Sequence, residues 1–232
     1  MSILSDLREH LQQFRDPRKA KSNQRFFKTG RGQYGEGDIF IGLMVPDCHK
    51  VAKVYHDLPW SQVKSLLRSP YHEERLIAIL IMIHQFRRGD ARVQTKIYNH
   101  YVTSVRYINN WDLIDLSAPY IVGQYLQPRS HQPLVQLAKS NNLWKKRISI
   151  IATFPYIKRG KFETTFRIAD ILLSDSHDLI QKAVGWMLRE VGKINVAAEK
   201  RFLKSRYKKM PCTMLRYAIE RFPAEAARLC RR

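Results

Sequence analysis

The chain has 232 residues, 44% of them hydrophobic, which excludes an intrinsically disordered chain and suits a single domain over residues 1–232 with a substantial core. Lys and Arg number 41 against 20 Asp and Glu, a formal net charge of +21 that resembles a polyanion-binding surface. No apolar run approaches the ~20 residues that span a bilayer, and the first residues lack a basic segment followed by an apolar stretch, so neither a membrane span nor an export signal is expected.

Cys48, Cys212 and Cys230 are odd in number, far apart and form no CxxC pair. They predict neither a disulfide framework nor a structural zinc site and fit a reducing cytoplasm. The eight histidines show no HExxH or other metal spacing.

In chain order, a first helix is followed by a segment that holds four of the ten glycines, Gly30, Gly32, Gly35 and Gly37. It predicts an irregular loop over about 28–44, a connector to the elements that follow. Neither the P-loop nor the dinucleotide glycine spacing is present. Helix starts are then expected at Pro46-Asp47, Ser61-Gln62, Ser69-Pro70, Ser117-Ala118-Pro119 and Ser174-Asp175. The apolar runs from Leu76 to Ile83, Ile148 to Phe154 and Ala183 to Leu188 suit buried helices, and strand-like alternation is scarce. The chain is expected to be all-α.

A repeat emerges from the helix starts. Arg75, Trp111, Arg147 and Lys182 follow one another at intervals of 36, 36 and 35 residues. Helix-pair solenoids repeat at roughly 33 to 47 residues, and matching positions then line one curved face.

Four residues are candidates to carry chemistry, Trp111, Asp115, Arg147 and Trp186. Trp111 and Asp115 are four apart, which places an indole and a carboxylate one turn apart on one helix face. Such a pair can hold positive charge, although the spacing also suits a core tryptophan, with Asp112 as the helix cap. Arg147 follows Lys145 and Lys146 and precedes an apolar run. Its guanidinium can hold a phosphate through two hydrogen bonds. Gly185 precedes Trp186 inside a helical run, where glycine costs about 1 kcal/mol relative to alanine. Either a ligand passes close to the backbone there or a neighbouring helix does. His72, His131 and His177 lie near helix starts and suit structural roles.

These phrases match a family. The segments from Tyr34 to Gly42, Val45 to Asp47, His72 to Leu76, Asn110 to Pro119 and Gln181 to Glu190 resemble the AlkD-like DNA alkylation repair glycosylases, built of HEAT-like repeats, over nearly the whole chain. The resemblance implies a right-handed superhelical solenoid of HEAT-like helix pairs with a concave basic groove. It places the catalytic carboxylate on Asp115, the two sugar-flanking indoles on Trp111 and Trp186, and an arginine that contacts the DNA backbone on Arg147. Lys146 and Lys182, at the basic helix starts, are expected as further DNA contacts. Met44 departs from the pattern, where a polar or basic residue is expected. The implied activity is hydrolysis of the N-glycosidic bond of N-alkylated cationic purines such as 3-methyladenine and 7-methylguanine in duplex DNA. An abasic site is left, no metal or other cofactor is used, and the base need not be enclosed. A cytoplasmic, nucleoid-associated monomer is expected.

Two other functions fit the charge. One is a non-catalytic HEAT-repeat nucleic-acid-binding module, and the other is a scaffold for an acidic protein.

Overall fold

The computed structural model describes residues 2–222. Cys230, named above with the other cysteines, lies outside the described residues, as do Arg231 and Arg232, which add to the positive charge of the sequence. Among the described residues every regular element is helical, as the periodicity predicts, apart from one isolated parallel bridge between Ile39 and Tyr71. No helix among them is long and apolar enough to cross a membrane. The chain divides into two compact units, residues 1–113 and 114–232.

The first unit holds α1 (Ile3–Gln12), α2 (Pro17–Phe26), α3 (Val45–Val54), α4 (Trp60–Leu67), α5 (His72–Arg88) and α6 (Ala91–Thr103). Its centre is α5, whose buried residues run from His72 to Ile83 and which packs against α3, α4 and α6. Glu73 and Glu74 in its first turn and Arg87 and Arg88 in its last complement the helix dipole. Side-chain caps start the neighbouring helices. Asp16 accepts the N–H groups of Arg18 and Lys19 before α2, and Asp90 accepts that of Val93 before α6.

The expected loop over about 28–44 is irregular. It includes left-handed backbone at Gly32, Gly37 and Gly42. The expected helix start at Ser117-Ala118-Pro119 is not one. The helix α7 begins at Trp111, runs to Ala118, and passes without a break into a π-helical turn, Pro119–Gly123, and the short α8 (Gln124–Leu126). Proline inside a helix removes one backbone donor and crowds the carbonyl four residues earlier, and a wider turn relieves that crowding. The unit boundary falls inside α7.

The second unit continues with α9 (Gln132–Ala138), α10 (Leu143–Ile151), α11 (Phe154–Lys158), α12 (Glu163–Ile171), α13 (Asp178–Ile194), α14 (Val196–Lys204) and α15 (Cys212–Ala218). Here α13 is central and packs on α10, α11, α12, α14 and α15. Its cap is His177, whose Nδ1 accepts the Leu179 N–H at 3.1 Å. Gly185 answers the question its sequence position raised. A Cβ there would meet the Met214 carbonyl oxygen at 2.4 Å and the Tyr217 Cβ at 2.6 Å, so the glycine lets α15 approach α13.

Candidate active site

Asp115 lies on α7, one turn after Trp111. Pro119 and the π-turn begin one turn further on. Its carboxylate is held from α10. Arg147 donates from Nε to Oδ1 at 2.9 Å and from Nη2 to Oδ2 at 2.7 Å, a two-pronged fork. The same guanidinium donates from Nη1 to the Leu179 carbonyl at 2.5 Å, so it ties Asp115 to the first turn of α13. The Arg147 side chain is only 6% exposed, whereas 16% of the Asp115 side chain reaches solvent. The sequence gives Arg147 to a phosphate. In the free protein the fork faces a carboxylate instead.

Trp186 lies on α13, seven residues or about two turns beyond Leu179. It is half-buried, and its indole Nε1 donates to Glu190 Oε1 at 3.1 Å. Lys193 bonds the same oxygen, and Lys158 stands 3.9 Å from the other. The buried Glu190 therefore fixes the indole edge by a polar bond that helical spacing alone does not single out.

Trp111 is fixed within the first unit. Its backbone N–H donates to Asn110 Oδ1 at 2.9 Å. Its ring stacks on Phe27 at 5.4 Å and meets Phe26 edge-on at 5.9 Å. Asp112, the expected cap, lies inside the helix and does a different job. Its Oδ2 accepts from His72 Nε2 at 2.8 Å, while His72 Nδ1 donates to Asp38 Oδ2 at 3.1 Å. Asp38 also accepts from Arg75 at 2.7 Å and from Asn109 at 3.3 Å. Two carboxylates that accept from both ring nitrogens require a doubly protonated ring. Burial opposes that charge, but Asp112 and Asp38 outweigh it and push the His72 pKa up to about 9. The hydrogen bond from His72 and the charge of Arg75 overcome burial at Asp38 and hold its pKa below the usual value. The sequence read His72 as structural. The signal for this network was the run of polar residues at the start of a buried helix, His72-Glu73-Glu74-Arg75.

The two lysines expected at DNA are paired in the free protein. Lys146 bonds Asp175 at 2.7 Å, and Lys182 bonds Asp178 at 2.7 Å one turn away on α13. Met44 is exposed, immediately before α3. Cys48 and Cys212 are free thiols, and burial pushes the Cys48 pKa up. No cluster of three potential metal ligands exists among the described residues.

A family model for DNA alkylation repair enzymes matches residues 7–222. The chain belongs to the DNA alkylation repair enzyme family. Membership places it in the repair of alkylation damage in DNA, as an enzyme. No curated protein matches it. A solved structure, described as a predicted DNA alkylation repair enzyme from Enterococcus faecalis, is similar at a TM-score of 0.69 and 15% identity. The likeness covers 90% of this chain and 96% of that one, so the family's helical fold extends over nearly all of this chain.

Proposed function

We propose that the protein is a DNA glycosylase for cationic N-alkylated purines, such as 3-methyladenine and 7-methylguanine, in duplex DNA. The observation that carries this reading is the Asp115 carboxylate, aimed by the Arg147 fork and still reachable from solvent.

The chemistry follows from the lesion. Alkylation at a ring nitrogen makes the purine a cation, so the leaving base needs little protonation. As the C1′–N bond breaks, its electron pair leaves with the base and positive charge grows on the deoxyribose. A fixed negative charge beside C1′ is worth more at that moment than in the ground state, which is the condition for catalysis. An indole face against the cationic sugar, the role the resemblance gives Trp111 and Trp186, adds a cation–π attraction. Water, positioned by Asp115, then adds its oxygen to C1′ and releases a proton. The product is an abasic site. The activation comes from the lesion's own charge, so the reading calls for no metal or redox cofactor.

Arg147 aims Asp115, and its η nitrogens each carry a second N–H that can reach a backbone phosphate. Lys146 and Lys182 add to the phosphate contacts. An exposed pair such as Lys182–Asp178 contributes about 0–1 kcal/mol, so a phosphate can displace its partner at small cost. The reading is of a monomer acting alone on the duplex.

The same fork supports a second reading. A carboxylate compensated by a guanidinium is also a structural ion pair, and a non-catalytic HEAT-repeat nucleic-acid-binding module would keep it. Incubation with methylated duplex separates the two. The glycosylase releases free 7-methylguanine and leaves alkali-labile abasic sites, whereas the module binds the duplex and releases nothing.

A further inference from the structure

The helix α2 contains no buried residue. Most helices are held because one face joins the core, and ten residues alone are marginally helical in water. This one is held at its ends instead. At its start the Asp16 N–H donates to the Ile41 carbonyl at 3.3 Å. Gly42 sits there at φ +98°, where a Cβ would meet the Asp16 carbonyl oxygen at 2.0 Å. Both Ile41 and Gly42 donate their N–H groups to the buried Glu73 carboxylate, at 2.9 and 2.8 Å. Just past its end, Phe27 is stacked between Phe40 at 5.1 Å and Trp111 at 5.4 Å. Gly35 passes so close that a Cβ would meet the Phe27 carbonyl oxygen at 2.5 Å. The glycine-rich loop is therefore a bracket, and what it holds covers no core.

What α2 displays is charge. The helix has no acidic residue. Arg18, Lys21 and Arg25 fall at i, i+3 and i+7, along one stripe, and all three are exposed. No carboxylate among the described residues pairs with any of them. The stripe is about 10 Å long, which matches roughly three steps along one DNA strand at about 3.4 Å each. It ends beside Phe26, which is 63% exposed and edge-on to Trp111.

We propose that the Arg18–Lys21–Arg25 stripe grips the phosphate backbone of duplex DNA next to Trp111. The inference rests on the reading of duplex DNA as the substrate. The contact is to phosphates, so it adds affinity without sequence preference.

The test measures duplex affinity against salt for the unchanged chain and two triple variants of equal charge loss. One is Arg18→Gln/Lys21→Gln/Arg25→Gln. The other is Arg201→Gln/Lys204→Gln/Lys209→Gln, at exposed positions of α14 and the turn after it. Three lost phosphate contacts reduce the slope of log affinity against log salt by about 2 to 3, and affinity by roughly ten- to a hundredfold near 0.1 M salt. The α2 variant shows this drop, and the control shows a clearly smaller one. Equal slopes for the α2 variant and the unchanged chain overturn the proposal, as do equal losses in the two variants. Either result leaves the duplex reading intact. Failure of the unchanged chain to bind duplex overturns both.

Discussion

Both carboxylate oxygens of Asp115 accept from one guanidinium, that of Arg147, across 32 residues of sequence. The contact makes the orientation of the carboxylate a property of α10 as much as of α7, and the bond from Arg147 to the Leu179 carbonyl extends it to α13.

Arg147→Lys keeps a positive charge but loses the fork, because an ammonium cannot donate two parallel bonds from a planar frame. Excision is expected to fall at least tenfold with little change in duplex affinity. Arg147→Ala removes both fork bonds from a partly buried carboxylate and costs on the order of 3 kcal/mol of stability, measured by denaturant unfolding. The salt slope of its duplex binding reports where the fork points in the complex. A shallower slope places it on a phosphate, and an unchanged slope keeps it on Asp115.

His72 makes stability depend on alkaline pH. Its pKa in the folded protein, about 9, lies above the ordinary 6.5. Its contribution is therefore complete below about pH 6.5 and is lost as pH rises through about 9. Thermal unfolding followed from pH 6 to 10 should show Tm falling across that window. His72→Gln should be less stable at pH 6 and lack the His72 part of the fall. An identical pH dependence in the variant would remove the charge from the account of this cluster.

Glu199 makes stability fall in the same direction, over a lower pH window. Burial beside Gly192 pushes its pKa up to about 8, with only partial relief from Arg189. The folded protein holds that proton more tightly than the unfolded chain, so stability declines as pH rises from about 4.5 to about 8. Glu199→Gln removes the ionisation, and its gain in Tm relative to the unchanged chain should be larger at pH 8.5 than at pH 5.

Gly185→Ala tests the packing explanation of that glycine. The added methyl meets the Met214 carbonyl at 2.4 Å, so α15 must shift. A loss of about 1–3 kcal/mol in urea unfolding is expected, against a helix propensity that alone favours alanine by about 1 kcal/mol. A stabilised variant would return the glycine to a ligand-facing role.

The helical class was legible because long apolar runs, such as Leu76 to Ile83, lie at the centre of each unit, where burial and periodicity coincide. The placement of Trp111 and Asp115 one turn apart on one helix was also legible, since four-residue spacing is local. The partner of Arg147 was not. A guanidinium suits phosphate and carboxylate equally, and only tertiary packing chooses between them. The turn at Pro119 was misread because proline marks helix starts far more often than π-turns inside them. Asp112 resembled a cap, yet Asn110 receives the Trp111 N–H and Asp112 receives His72. The helix α2 left no periodic trace because none of its residues is buried, so nothing imposed an apolar stripe on its sequence.

The most direct test of the central claim is single-turnover release of 7-methylguanine from methylated duplex by the unchanged chain and by Asp115→Asn. The substitution keeps the size of the side chain and removes its charge. The account predicts release by the unchanged chain and a loss of about a hundredfold or more in the variant, with duplex affinity retained. Equal rates of base release from the two proteins would contradict it.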